Sequence, residues 1–179
     1  MDYTEQLLRR VSASQGPVVE VTEDIVRLPN GVTGVREVVH HPGGVCVAAV
    51  DSEGMVAVVR QYRYPFGKHL LELPAGKLEK GEDPFDAVKR ELSEETGLEA
   101  DRWTDLGYIY VSPGISTETL HLYLATGLRQ GAAHPDPNEF LDVERMPLSQ
   151  LAQMALEGQI HDAKTVVGAM KAKAFLDRN

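Results

Sequence analysis

The segment Gly76-Lys-Leu-Glu-Lys-Gly-Glu82-Asp83-Pro84-Phe85-Asp-Ala-Val88-Lys-Arg90-Glu91-Leu92-Ser-Glu94-Glu95-Thr-Gly97-Leu98 carries the densest chemistry in this chain. Three glutamates and an arginine fall within six residues, just before a glycine. Glu91 and Glu95 are four apart, which stacks them on one helix face. Like charges so placed weaken an isolated helix by roughly 0.2–0.5 kcal/mol. A hard divalent cation reverses that cost, because Mg²⁺ takes carboxylate oxygens together with water and substrate phosphate. Arg90 and Glu94 are also four apart and can pair, orienting the acidic face. The residue types therefore point to metal-assisted chemistry on a phosphate. Two glutamates at this spacing are commonly no more than a solvated helix face. The loop glycines, the basic neighbour and the closing glycine set this stretch apart.

The same segment supplies the element that positions these groups. Asp83 followed by Pro84 is a helix start, the aspartate oxygen capping free N–H groups and the proline fitting the first helical position. Gly97 is a left-handed stop. Phe85, Val88 and Leu92 recur at helical spacing and are expected to face the core. The reading is a glycine-containing loop, a helix and a second loop.

With those residues in view, the segment resembles the Nudix box: G, five residues, E, seven residues, R-E-U-x-E-E-x-G-U, where U is a bulky aliphatic residue. Gly76, Glu82, Arg90, Glu91, Leu92, Glu94, Glu95, Gly97 and Leu98 meet every fixed position. The resemblance implies hydrolysis of a nucleoside diphosphate linked to another group, with Mg²⁺ or Mn²⁺. It implies that Glu91 and Glu95 bind metal, that Glu94 assists catalysis, and that Arg90 supports the glutamates. It also implies that the backbone carbonyl of Ala75 completes a metal shell.

Features outside the box resemble the ADP-ribose pyrophosphatase branch. They are Arg36-Glu-Val-Val39, Arg60-Gln-Tyr-Arg63, Leu71-Glu-Leu-Pro-Ala-Gly76, Ser112-Pro113-Gly114 with Glu118 beyond, and Asp162-Ala-Lys-Thr165. Pro113 lies fifteen residues after Leu98. The implied reaction is ADP-ribose plus water giving AMP and ribose 5-phosphate. Arg36 and Arg63 are candidate diphosphate contacts, guanidinium forks being suited to phosphate oxygens; the competing reading of each is an ion pair. The branch often draws a general base or extra metal ligand from an acidic loop after the box. Glu139 matches that place best, with Asp136 second, although Pro135 and Pro137 stand where the family often has further acids. Tyr62, Tyr64, Phe66 and Tyr110 are all candidates for an aromatic face against adenine. Two alternatives stay open: a pyrophosphatase of another substrate, such as GDP-mannose or a damaged nucleoside triphosphate, and a non-catalytic ADP-ribose sensor. Such sensors usually lose box glutamates.

Composition bounds the rest. The 179 residues fit one domain with enough chain for a real core. The net charge of −9 argues against non-specific nucleic-acid binding. It also looks wrong for an anionic substrate, a conflict that bound cations resolve locally. No apolar run reaches about 18 residues, so no membrane helix is expected, and Met1-Asp-Tyr-Thr-Glu5 lacks a signal-peptide pattern. The single cysteine, Cys46, lies in an apolar run and reads as a buried small residue. The expected compartment is a reducing cytoplasm.

Along the chain, residues 3–12 read as a short amphipathic helix or a mobile segment. Val18–Thr22, Ile25–Leu28 and Val35–Val39 read as strands, with a turn at Pro29-Asn30-Gly31. His40-His41 read as loop residues, because neighbours in an extended chain point opposite ways. Strands are expected at Val45–Val50, Met55–Arg60, Leu70–Leu73, within Trp103–Val111, at Thr119–Ala125 and at Phe140–Val143. Residues 129–139 read as an exposed loop, and Leu148–Glu157 and Asp162–Leu176 as helices. This pattern predicts an α/β fold, which the resemblance specifies as a Nudix-type α/β/α sandwich with a mixed sheet, plus N-terminal antiparallel strands. The resemblance implies that residues 1–44 form a strand region for homodimerisation, and residues 45–179 the hydrolase domain.

Overall fold

A computed structural model describes residues 2–132, 134 and 140–178. It divides into two compact units, one of residues 1–43 with 110–119, the other of residues 44–109 with 120–179.

The first unit is a three-stranded antiparallel sheet of β1 (Gln6–Gln15), β2 (Glu20–Arg27) and β3 (Thr33–His40), with β2 in the middle. Residues 3–12, expected as a short helix or a mobile segment, instead enter a strand at Gln6. Leu7 and Val11 have helical spacing, but both are exposed, so no apolar helix face is buried. β1 instead pairs with β2 over its whole length, and Arg10 forks onto the buried Asp24 at 2.9 and 2.8 Å. Long-range pairing has overridden local spacing. The two short strands expected between Val18 and Leu28 are one, Asp24 facing inward within it. The Leu28–Gly31 turn forms, the Gly31 N–H bonding the Leu28 carbonyl at 2.8 Å. His40 ends β3 rather than lying in a loop, its Nε2 3.1 Å from Thr22 Oγ1. His41 Nδ1 accepts from the Gly43 N–H at 3.0 Å.

The second unit is layered. β4 (Gly44–Ala49) lies between β7 (Ala75–Lys77), antiparallel to it, and β9 (Thr119–Gln130), parallel to it, with β8 (Leu98–Tyr110) beyond. A second sheet holds β10 (Leu141–Pro147), β5 (Met55–Arg63) and β6 (Lys68–Glu72), in that order. β4 and β5 flank the expected turn but belong to different sheets, joined only by a bridge between Val50 and Val56. Every residue of β4 is buried, so its alternating side chains feed two cores. Val45, Val47 and Ala49 pack with Ala87, Val88 and Leu92 of α1 (Pro84–Thr96). Cys46 and Ala48 pack with Leu148 and Leu151 of α2 (Leu148–Leu156) and Ala169 and Ala172 of α3 (Ala163–Leu176). The result is the expected α/β/α sandwich.

Cys46 is 1 % exposed, and burial pushes its thiol well up. Phe85 departs from expectation. It is 36 % exposed and lies at the core's rim, edge-on to Trp103 with Lys89 over its ring.

Candidate active site

The start and stop signals of α1 act as expected. Asp83 Oδ1 accepts the Phe85 N–H at 2.8 Å, and Pro84 is the first helical residue. Gly97 closes the helix at φ 68°, its N–H bonding the Ser93 carbonyl at 2.8 Å. Between these caps the helix turns Glu91 and Glu95 inward, 7 % and 3 % exposed.

Arg90 holds the acidic face together. Its Nε and Nη2 fork onto Glu82 Oε1 and Oε2 at 2.9 and 3.0 Å. Its Nη1 donates to Glu91 Oε1 at 2.8 Å and to Glu94 Oε2 at 2.9 Å, the second being the pair expected from spacing. Nη2 also reaches the Lys77 carbonyl at 3.3 Å. One guanidinium thus ties the loop of residues 76–83 to the helix and separates three carboxylates that would otherwise repel. Hydrogen bonding to Glu82 is the main cause of a strongly raised Arg90 pKa, and the same bond holds Glu82 below the usual carboxylate range.

Opposite the helix, β7 comes close to the glutamates. The Ala75 N–H donates to Glu95 Oε2 at 3.1 Å. A Cβ placed on Gly76 would lie 1.9 Å from both Cδ and Oε1 of Glu91. Glycine leaves this space to the carboxylate, which any side chain here would displace. This cradle, with two buried carboxylates against a bare backbone, suits a hard cation. Among the described residues, no three His, Cys, Asp or Glu side chains converge into a ready-made ligand set. Two glutamates, a backbone carbonyl and substrate oxygens are the donors at hand for a hard divalent cation.

Arg63 lies in the same unit, its guanidinium forked onto Glu72 at 2.7 Å through both Nε and Nη2. The ion pair weighed for this arginine is therefore present, but its partner is buried in the interior. Glu72 also accepts from Lys164 Nζ, which donates to Asp162 Oδ1 at 2.8 Å. Burial pushes the Glu72 carboxyl up, but Arg63 and Lys164 outweigh it, and its pKa is lowered. Sequence reading singled out Arg63 and the Asp162–Thr165 run but not their link through Glu72. The available signal was an ionisable residue inside the apolar Leu70–Leu73 strand.

The other candidates fall elsewhere. Arg36, in the first unit, pairs with Glu5 and donates to the Val35 carbonyl. Pro113 is exposed in a turn where Ser116 N–H bonds the Ser112 carbonyl. Asp136 and Glu139 lie outside the described residues. Close before them in sequence, the His134 N–H bonds the Glu94 carbonyl at 3.0 Å.

Residues 40–167 match the NUDIX domain. The chain belongs to the Nudix family, and with an intact box it is a Nudix hydrolase. It is 43% identical to a methanol dehydrogenase activator of Bacillus methanolicus, over 92% of this chain and 90% of that one. It is 38% identical to an ADP-ribose pyrophosphatase of Bacillus subtilis, over 90% of this chain and 88% of that one. A GDP-mannose pyrophosphatase of Citrobacter koseri is 31% identical over 82% of each chain. A solved structure described as an ADP compounds hydrolase superposes with a TM-score of 0.84, covering 97% of this chain and 95% of the other at 21% identity, a likeness of fold. No described helix is long and apolar enough to cross a membrane.

Proposed function

We propose that this Nudix hydrolase cleaves the diphosphate of ADP-ribose with water, giving AMP and ribose 5-phosphate. The reading rests on the intact glutamate cradle on α1 and Gly76, together with near-full-length similarity to an ADP-ribose pyrophosphatase. Mg²⁺ is the proposed cofactor, with Mn²⁺ able to replace it. Glu91, Glu95 and the Ala75 carbonyl would hold it, with Glu139 as a further ligand. A cation there would supply neutralisation of the diphosphate charge and activation of the attacking water.

The protein's own part is placement. Phosphoryl chemistry leaves little covalent work, so fixed charges and orientation dominate. Arg90 keeps Glu91 and Glu94 at set positions, and Ala75 N–H fixes one oxygen of Glu95. Arg63, aimed by its fork to Glu72, is the proposed diphosphate contact. Glu139 is also proposed, from the family resemblance, as the general base. For Arg36 and Pro113, a substrate contact is proposed from the family resemblance. The chain is proposed to act in the cytoplasm as a homodimer through its N-terminal sheet. That proposal is supported by exposed apolar side chains on the sheet, Val11 and Val35 lying on the same face of it.

The test is Mg²⁺-dependent AMP release from ADP-ribose, run beside GDP-mannose, ADP-glucose, NADH and 8-oxo-dGTP. Preferred turnover of ADP-ribose supports the reading. Preference for another compound replaces the substrate and keeps the metal helix. Binding without turnover of any of them points to a sensor.

A further inference from the structure

We propose that Lys164 is a positioning residue for the substrate diphosphate, acting through Glu72 to hold the Arg63 guanidinium in place. The inference rests on the reading of Arg63 as a diphosphate contact.

Four charged groups form one chain across the second unit. Glu72 is its centre, with a side chain 1 % exposed. Its carboxylate accepts from Arg63 Nε and Nη2, both at 2.7 Å, and from Lys164 Nζ. Lys164 is 14 % exposed and also donates to Asp162 Oδ1 at 2.8 Å. Asp162 Oδ2 caps α3, accepting from Thr165 N–H at 2.9 Å and Thr165 Oγ1 at 2.6 Å. Thr165 Oγ1 in turn accepts the Leu73 N–H at 2.8 Å. The chain is thus anchored at the start of a helix and on the link between β6 and β7.

Exposure rises from Glu72 through Lys164 and Asp162 to Arg63, whose side chain is 37 % exposed. Arg63 is the open end of an otherwise enclosed network. It is also close enough to Glu95 to feel that carboxylate's charge. The fork occupies Nε and Nη2 and leaves Nη1 outside the pair, where a phosphate oxygen can accept it. A network of two cations and two carboxylates is self-neutral, yet it ends in a partly exposed arginine.

Lys164 makes this arrangement possible. A buried carboxylate with one cation would draw that cation onto itself or take up a proton. With Lys164 holding one oxygen, Glu72 stays ionised and serves as a fixed seat for the fork. Without it, Arg63 either moves inward or loses its seat, and in both cases Nη1 leaves its position.

The experiment compares kcat and KM for ADP-ribose with Mg²⁺ in wild type, Lys164→Met, Lys164→Arg, Arg63→Ala and the Lys164→Met/Arg63→Ala double variant. Dissociation constants for ADP-ribose under chelator are measured alongside, so that positioning is read without turnover. Arg63→Ala and Lys164→Met are each expected to raise KM about tenfold, the scale of one charge-assisted hydrogen bond, with kcat changed far less. Lys164→Arg restores most of the affinity, and the double variant is no worse than Arg63→Ala alone. A folded Lys164→Met protein with wild-type KM and dissociation constant, beside an impaired Arg63→Ala, overturns the Lys164 role and leaves the Arg63 contact standing. Effects that multiply in the double variant overturn it too. An unimpaired Arg63→Ala overturns the contact itself and this inference with it. Should Lys164→Met not fold, Lys164→Gln, which keeps a donor without the charge, reads the same quantities.

Discussion

Replacing Gly76 with alanine is the sharpest single perturbation of this site. The added Cβ would lie 1.9 Å from Glu91 Cδ and Oε1 and 2.3 Å from Oε2. Carbon atoms settle at about 3.5–4.0 Å, so the carboxylate or the strand must shift by about 1.5–2 Å. Gly76 has no left-handed backbone, so the cost is steric rather than conformational. Overpacking of this kind costs about 1–3 kcal/mol, and at 179 residues each kcal/mol lowers Tm by about 2–4 °C. A folded protein with a modestly reduced Tm is expected. Activity should suffer far more, because a misplacement of about 1 Å at a reacting centre can cost a hundredfold. The assay is Mg²⁺-dependent AMP release, with a thermal melt on the same sample. A Gly76→Ala variant that keeps more than half of the wild-type kcat at an unchanged Mg²⁺ requirement would refute the cradle.

Further outcomes are expected elsewhere. Glu95→Gln should retain the fold and lose about a hundredfold or more in kcat, since metal ligation needs the charge; unchanged Mg²⁺-dependent turnover would sink the assignment. Arg90→Met strands Glu82, Glu91 and Glu94, and should cost roughly 1–3 kcal/mol after discounting for the partial exposure of the cluster, seen as a fall in Tm. Glu82 and Glu72 both have lowered folded pKa values, so their contribution is complete above the unfolded carboxylate range near about 4.3 and is lost as pH falls through the folded values. Melts between pH 3 and 7 should therefore show Tm dropping on acidification, less steeply in Arg90→Met; equal slopes would count against the Glu82 pair. Glu139→Ala and Asp136→Ala should separate the proposed base from its neighbour, and a wild-type kcat in both would remove the loop acid from the mechanism. Light scattering of the purified chain tests the dimer, and a monomer at working concentration would set that proposal aside.

The helix that carries the chemistry was legible in the residues alone. Asp83-Pro84 and Gly97 bound it through purely local hydrogen bonding, and the Glu91–Glu95 and Arg90–Glu94 spacings follow from helix geometry. The core strands at Val45–Val50 and Met55–Arg60 were legible as short apolar runs, with Cys46 among the buried residues. Residues 3–12 were misread because spacing within a segment does not reveal a partner strand. Leu7 and Val11 stand at helical intervals, but β2 offers Asp24 to Arg10 and a full ladder of hydrogen bonds. Phe85 was misread because the helix's period states which face turns inward, not how far the core extends beneath its first turn.

The sequence by itself determined the glutamate-bearing helix, the spacing of its charged groups and, through the match to the Nudix box, the class of reaction, since all three depend on residues close together in the chain. Only the tertiary structure decided that the Glu91 carboxylate fills the space beside bare Gly76, and that Arg63 and Lys164 share Glu72. Gly76 and Glu91 are fifteen residues apart, and Glu72 and Lys164 ninety-two apart. Contacts at such separations arise from the packing of β6, β7, α1 and α3, which no local pattern encodes.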